Sequence, residues 1–432
     1  MRRMQEQETV INREEPGEEN REKWNKEFSL EENIARIFSP FDEAALHPET
    51  LKADLDKERH AKFPDASILS EEPKEFSVEK ETENLPDTRF YTQIGSARIE
   101  GFFHRGNIPA LYVMFDGSRT RKGGKALAPL PSFSRWSWYK DTNASLVSLE
   151  DPMYYTFSEC TLGWYYGTKD EDYRQYCAQC IGRIAELLHI KNADIVLYGS
   201  SGGGTAAIGV SRYLPGCSVV AINPQLLLEK YPYSEDLERI IGIGIREASD
   251  LFIRNDNSRI IRENPESVYF LIENVRSDAD YVTQFQNFFE LSGISPGFGI
   301  EKNGNIVTWL YDAQGAPSVH SAVENTAVFK MIDLLVRCVR ADGDVHKLKN
   351  LFYVINEFWY ERYSLMRTNY YQKKKVEELE TDNARMKNEI EGMKKDLEWG
   401  WIKVGVKAKR LFGKVKRKLR KRDDVKVSTE NG

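Results

Sequence analysis

The stretch Ile195-Val-Leu-Tyr198-Gly199-Ser200-Ser201-Gly202-Gly203-Gly204-Thr205-Ala206-Ala207 constrains this chain more than any other. The apolar run to Tyr198 reads as a short buried strand. The small residues 199–204 read as a sharp turn, and a helix follows to about Tyr213, where Leu214-Pro215-Gly216 stops it. Gly199-x-Ser201-x-Gly203 fits the nucleophile-elbow pattern. Its physics is steric: the serine occupies a strained turn with its hydroxyl raised above a sheet. Side chains two positions to either side would collide with the strand and the helix. The helix start behind Ser201 supplies N–H groups and a positive dipole end for a developing oxyanion. Gly-rich turns after strands also hold phosphates. Neither G-x-x-x-x-G-K-[ST] nor a G-x-G-x-x-G with an acid about 20 residues on occurs here, which makes the nucleotide readings the weaker ones.

A strand, turn and helix of this kind belong in an α/β sheet, and the rest of the chain supplies one. Arg89 to Ile94 and Ala97 to His104 alternate as strands around Gly95-Ser96. Ala110 to Phe115 is continuously apolar, as in a central strand buried on both faces. Leu146 to Leu149 is a strand ending in Glu150-Asp151-Pro152. Residues 172–190 show an amphipathic helical pattern. Ser218 to Ile222, Val268 to Glu273 and Ile306 to Tyr311 are further strands, and 321–339 a closing helix. Polar residues gather just past strand C-terminal ends. The expected fold is α/β: an α/β-hydrolase-like, doubly wound, mostly parallel sheet with ligands at those ends.

Of the 432 residues, four segments separate by texture. Residues 1–87 are acidic and short of apolar clusters, and are expected to be disordered; 88–345 form the α/β domain; 346–398 a helix and coiled coil; 399–432 a basic tail. The formal charge of -6 hides an asymmetry, because residues 399–422 carry eleven Lys or Arg and no acid. Five cysteines, odd in number and with a single CxxC at Cys177 and Cys180, read as reduced thiols rather than a zinc site. No signal peptide is legible after Met1-Arg2-Arg3, and no run of 18 apolar residues exists, so a cytoplasmic chain is expected.

A serine nucleophile needs a base, and the base an orienting acid. In the elbow fold they follow in the order Ser, acid, His. Of six histidines, His47, His60, His104 and His189 precede Ser201, and His346 lies in a charged stretch beyond the sheet. His320, in the loop after the last strand, is the expected base. The acid should follow the strand ending at Glu273. Asp278 is the first choice and Asp280 the alternative, the other being a helix N-cap or first-turn acid. The N–H of Gly202 and one from Gly117 or Ser118 would form the oxyanion hole. The loop 116–150 and the next hold Arg119, Arg135, Trp136 and Trp164. Aromatic planes beside guanidinium groups suit sugar rings and their acidic substituents, although each aromatic could equally cap the core. No metal or cofactor is called for.

Phe115-Asp-Gly117-Ser, Phe133-x-Arg135-x-Ser137-Trp138, Asp151-Pro152, Gly163-Trp-Tyr-Tyr-Gly167, Tyr198-Gly-Ser-Ser-Gly-Gly203, Asn223-Pro-Gln225, Asn274 with Asp278, and His320 occur in that order. Over residues 88–340 the chain resembles the α/β-hydrolase-like proteins encoded with bacterial capsular polysaccharide genes (the XcbB/CpsF-type group). More distantly, it is similar to the hydrolase-like protein of the accessory secretion system, which acts in glycan O-acetylation. The resemblance implies a role in making or modifying a surface polysaccharide, with a polysaccharide or glycolipid as substrate. The Asn274-to-aspartate spacing is one residue longer than that pattern.

In the tail, Val376, Leu379, Asn383, Met386, Ile390, Met393 and Leu397 alternate at spacings of three and four. That is a heptad seam, from which a homodimer through 369–398 is expected. Val404, Ala408, Leu411, Phe412, Val415 and Leu419 share one helical face opposite Lys and Arg, after Trp399 and Trp401. The expectation for 399–422 is an anionic membrane surface, on the inner face of the cell membrane, with no nucleic acid. Three functions remain: a serine esterase or O-acyltransferase, a non-catalytic scaffold or glycan-binding subunit, and a sugar or phosphosugar transferase.

Overall fold

The computed structural model describes residues 67–80, 85, 87–119, 121–122, 126–127, 129–245, 253–311, 320 and 326–348, with helical stretches of the tail between 376 and 417. It divides into two compact units, 1–364 and 365–432. Residues 1–66, and positions 390, 393 and 397 of the expected coiled-coil seam, lie outside the described residues.

The first unit is built on a ten-stranded sheet. In chain order its strands are β1 (Lys74–Glu75), β2 (Arg89–Ile94), β3 (Ala97–His104), β4 (Ile108–Phe115), β7 (Ala144–Leu149), β8 (Ile195–Ser200), β9 (Ser218–Ile222), β10 (Val268–Asn274), β11 (Gly299–Asn303) and β12 (Ile306–Tyr311). A separate two-residue pair, β5 (Arg121–Lys122) and β6 (Ala126–Leu127), falls between β4 and β7. The spatial order is β1-β2-β3-β7-β4-β8-β9-β10-β12-β11. From β7 to β12 every pairing is parallel. Antiparallel β2 and β3 extend one side, and β11 closes the other as a hairpin with β12.

Central strands run apolar because both faces are covered. On β4, Leu111, Val113 and Phe115 enter one core, which also holds Ile181 and Ile184 of α2 (Tyr173–Leu187) and Ile208 and Val210 of α3 (Gly202–Ser211). Tyr112 and Met114 point the other way, into a core shared with Phe329, Ile332 and Leu335 of α7 (Thr326–Arg340). Further helices are α1 (Met153–Thr156), α4 (Ser234–Ile241), α5 (Asn257–Glu263) and α6 (Asn287–Ser292), whose buried apolar side chains join the first core. All five cysteines are buried within these cores, and none forms a disulfide.

This is the α/β-hydrolase-like arrangement read from the sequence. Several elements were not read, among them α1, α4, α5, α6, β1 and β11. The hairpin strand β11 lies in the charged run Glu301-Lys302-Asn303, which has no apolar alternation. The strand β1 pairs with β2, and Phe76 beside it is 1% exposed, so ordered structure begins ahead of the boundary expected at 88.

The chain runs from β4 to β7 on one side and then crosses to β8 on the other. That reversal opens a crevice at the C-terminal ends of β4 and β8, where ligands of such sheets bind. Asp116 to Arg119 follow the first of these ends and Ser201 the second.

The second unit is helical wherever it is described, including residues 383–388 and 405–414. Val376, Leu379 and Met386 are exposed, as are Val406, Leu411 and Phe412, the last two at 67% and 77%. No helix among the described residues is long and apolar enough to cross a membrane.

Candidate active site

Ser201 sits between β8 and α3 with φ 50° and ψ -126°, a conformation that a side-chain-bearing residue adopts only under constraint. The constraint is close packing. A Cβ on Gly199 would come within 2.2 Å of Gly203 carbon, and one on Gly203 within 2.5 Å of the Phe115 carbonyl oxygen. Glycine at both positions lets α3 approach the ends of β8 and β4. The Ser201 N–H donates to Ile222 O at 2.8 Å, pinning the turn to β9.

The Ser201 Oγ lies 2.8 Å from His320 Nε2, and His320 Nδ1 lies 2.7 Å from Asp280 Oδ2. In the neutral tautomer that satisfies both contacts, Nδ1–H donates to the carboxylate and Nε2 accepts from the serine hydroxyl. His320 is held at its own backbone. Asn223, fully buried at the end of β9, donates from Nδ2 to His320 O at 3.2 Å and accepts the Asn274 N–H at 3.3 Å. One amide therefore ties together the ends of β9 and β10 and His320.

The carboxylate on His320 is that of Asp280, not Asp278. The two belong to a π-helical segment, Asp278–Gln286, that follows β10. Its wider turns bury Asp280, Gln284 and Phe285 and leave Asp278 exposed at the start. Spacing from Asn274 cannot separate two acids two residues apart when the intervening turn is not α-helical. Ser277 Oγ also donates to Asp280 Oδ2.

The expected oxyanion donors flank the serine. Gly202 is the first residue of α3, where N–H groups have no partner within the helix. Gly117 is half-buried beside the turn, where a Cβ would meet Ser200 O at 3.4 Å; Ser118 is exposed. Their loop is fixed from below. Tyr154 donates to Gly117 O at 2.6 Å, and the Asp116 N–H donates to the Tyr165 hydroxyl at 2.8 Å.

The four residues expected to bind substrate separate into different roles. Trp136 is buried and packs edge-on against Phe102 at 5.4 Å. Trp164 is 1% exposed and donates to Gln225 Oε1 at 2.9 Å. Both are core residues, because their loops fold back onto the domain; neither presents an open face. The Arg119 guanidinium lies 5.8 Å from the Tyr154 ring centroid. Arg135, itself at φ 62°, donates from Nη2 to Ser200 Oγ at 2.6 Å and from Nη1 to Phe115 O at 3.1 Å. Its guanidinium stands 5.5 Å from the Tyr198 ring centroid and 5.7 Å from that of Trp138. It straps together the two strand ends that frame the crevice.

A cluster of acids underlies the same loop. Ser132 Oγ lies 2.7 Å from Glu150 Oε1 and 3.0 Å from Asp116 Oδ2. One hydroxyl proton serves both contacts when Glu150 carries a proton of its own. Burial, and next the charge of Asp116, push the Glu150 carboxyl well above the usual range. Asp151 is fully buried and pushed up to about 7 by burial, opposed by N–H donors from Met153 and Tyr165.

Residues absent from the sequence reading complete the rim. Tyr231 lies 6.2 Å from His320 and 6.1 Å from Trp164, ring centroid to centroid, and Tyr233 stands beside it at 5.7 Å with 53% exposure. The paired aromatics of Tyr231-Pro-Tyr233, nine residues past the end of β9, were the available signal. Among the described residues no group of His, Cys, Asp and Glu has the arrangement of a metal site. A cavity of about 410 Å³, lined by Arg212, Pro215, Glu263 and Glu266, lies at the opposite ends of the strands.

No family model matches the chain, and no curated protein matches it in sequence. Among solved structures it is similar to the capsule O-acetyltransferase of Neisseria meningitidis serogroup A. That likeness has 16% identity and a TM-score of 0.40, covering 60% of this chain and 98% of that one. It is also similar to a chain of the glycosylation-associated protein complex (Gap123) of Streptococcus agalactiae. There the identity is 17% and the TM-score 0.37, and the match spans 52% of this chain and 41% of the other. A third is 2,6-dihydroxy-pseudo-oxynicotine hydrolase, at 12% identity and a TM-score of 0.40, covering 60% and 69%. At such identities chemistry rests on the site's own geometry.

Proposed function

We propose that this protein is a serine esterase or O-acyltransferase acting on a surface glycan. The observation that carries this reading is the relay from Ser201 Oγ through His320 to Asp280, at 2.8 and 2.7 Å, on a serine held in a strained turn. In an acyl-transfer cycle His320 Nε2 takes the hydroxyl proton as Ser201 Oγ bonds to the acyl carbonyl carbon. The carbonyl oxygen becomes an oxyanion facing the N–H of Gly202 and of Gly117 or Ser118. Collapse breaks the bond to the leaving group, which departs with the proton from His320, leaving an acyl-Ser201 ester. Water or a sugar hydroxyl then attacks that ester, with His320 again taking and returning the proton. Asp280 holds the imidazole tautomer and offsets the imidazolium charge.

The glycan part of the reading rests on the motif resemblance to the capsular polysaccharide group and on the Tyr231 and Tyr233 rings beside the relay, whose faces suit a pyranose. The seam at 369–398 would pair two copies, and the basic tail with exposed Leu411 and Phe412 would hold the enzyme at an anionic membrane, where lipid-linked glycans are assembled.

Fluorophosphonate labelling tests the core of the proposal. Wild-type protein is expected to label at Ser201, and Ser201→Ala to lose the label while melting normally. Labelling undiminished in Ser201→Ala would remove the serine nucleophile.

A further inference from the structure

The members of the relay stand on three separate parts of the chain, and a run that carries none of them is bonded to each. Asn223-Pro-Gln225-Leu-Leu227 leaves the end of β9. Toward the base, Asn223 Nδ2 donates to His320 O at 3.2 Å. Toward the nucleophile, the Gln225 N–H donates to the Thr205 hydroxyl at 2.8 Å, and that oxygen lies 3.2 Å from Ser201 O. Pro224 closes on the same helix, since a Cβ on Gly204 of α3 would stand 3.3 Å from Pro224 Cβ. Toward the acid, the Leu227 N–H donates to Gln284 Oε1 at 2.8 Å. Gln284 is buried in the π-helical segment, four residues after Asp280.

The run is itself fastened by groups outside the relay. The Asn223 N–H donates to Ile272 O at 2.9 Å, and Asn223 Oδ1 accepts from the Asn274 N–H at 3.3 Å and the Tyr311 hydroxyl at 3.4 Å. Asn257 of α5 donates from its N–H to Leu226 O at 2.8 Å and from Nδ2 to Gln225 O at 3.2 Å. Asn223, Gln225 and Asn257 are completely buried. Polar groups in such an interior are costly to leave without partners, so this set of bonds admits one arrangement of the run. Asn223 also turns the chain at φ 46°, a left-handed conformation that asparagine and glycine accept.

We propose that residues 223–227 are the positioning frame of the relay. Asn223 sets His320, Gln225 sets Ser201 through Thr205, and Leu227 sets Asp280 through Gln284. This assignment depends on the acyl-transfer reading of the site. It makes the spacing of base, nucleophile and acid the property of one short buried run rather than of three independent loops.

Two variants that touch different members of the relay test it. Asn223→Gly suits the left-handed turn and removes the amide that holds His320 O. Gln284→Met keeps the length and removes the acceptor of the Leu227 N–H. Neither residue meets the substrate, so each is expected to lower kcat for 4-nitrophenyl acetate about tenfold with KM within about threefold. Ile332→Val, in the core under α7, is the control for lost stability. It is expected to lower the melting temperature and leave kcat unchanged. A kcat held within twofold by both frame variants overturns the proposal, as does an equal loss in Ile332→Val. The far-downfield proton resonance of the His320–Asp280 bond, followed on a Ser201→Ala background, reads the same geometry without turnover. It is expected to shift or broaden in Asn223→Gly and in Gln284→Met, and not in Ile332→Val. A resonance that neither frame variant moves overturns the frame whatever the nucleophile. Shifts as expected in a protein that turns over no ester support the frame and remove the acyl-transfer reading instead.

Discussion

Ser201 Oγ and His320 Nε2 stand 2.8 Å apart across 119 residues of chain. That contact is the product of a register. β8 ends at Ser200 opposite Ile222 of β9, β9 pairs with β10, and β10 pairs with β12 through Asn274 and Tyr311. Parallel strands ending level bring the residues that follow them to one edge, and Asn223 holds His320 there by its backbone.

The two aspartates of the π-helical segment give the first prediction. Asp280→Asn leaves the geometry nearly isosteric but offers His320 Nδ1 the wrong partner. It is expected to lower kcat by about 10³- to 10⁴-fold with KM little changed. Asp278→Asn changes an exposed side chain and is expected to stay within about threefold. Steady-state hydrolysis of 4-nitrophenyl acetate by the two variants decides the assignment; equal losses would detach Asp280 from the chemistry.

Arg135 and Ser200 give the second. The guanidinium joins Ser200, the neighbour of the nucleophile, to Phe115 at the end of the strand that leads to Gly117. Arg135→Lys cannot reach both acceptors at once. It is expected to reduce kcat about tenfold, as is Ser200→Ala, and the double variant is expected to fall no further than either alone. A coupling of about 1.4 kcal/mol in that cycle is the measurement. Full additivity would mean that the two residues act apart.

How far the sequence alone reached can be judged from these same residues. Gly199, Ser201 and Gly203 are legible because steric exclusion at a tight turn acts on adjacent positions, and a glycine there has few substitutes. His320 is legible by chain order and by the scarcity of histidine after Ser201. Asp280 was not separable from Asp278, since a π-helical turn shifts which side chain faces inward and leaves no mark on composition. Trp136 and Trp164 misled because an aromatic residue in a polar loop reads the same whether the loop stands out or folds back. Arg135 was noticed for its charge, yet its acceptors are a hydroxyl and a carbonyl on two other strands, a relationship that exists only after folding.

Asp151 supplies a pH prediction. It is pushed up to about 7 in the fold from an ordinary 3.8, with burial the main cause. The unfolded chain then releases this proton at lower pH than the native one. Its contribution to stability is fully present below about pH 4 and is lost as pH rises toward 7. Glu150, also raised by burial and by Asp116, works in the same direction. Asp151→Asn is expected to flatten the decline in unfolding free energy between pH 4 and 7, an effect on the order of a few kcal/mol. Urea melts at unit pH intervals check it. An unchanged slope would mean that Asp151 ionises without penalty, sustained by the Met153 and Tyr165 N–H groups.

The tail allows a prediction in which charge and apolar contact are separable. Residues 405–414 are helical, with Leu411 and Phe412 exposed among Lys407, Lys409, Arg410 and Lys414. If this helix lies in a membrane interface, two contributions add: burial of the apolar side chains, and attraction of the cations to anionic headgroups at roughly 1 kcal/mol each. Full-length protein is expected to co-sediment with vesicles of phosphatidylglycerol and phosphatidylethanolamine, and not with phosphatidylcholine alone. Leu411→Ser with Phe412→Ser should weaken binding at any salt concentration. Replacing the four cations by Gln should abolish only the component that fades between low and physiological ionic strength. Binding that resisted the serine pair but vanished with salt would describe a purely electrostatic surface, which an RNA could occupy as well as a lipid, and the interfacial reading of the tail would fail.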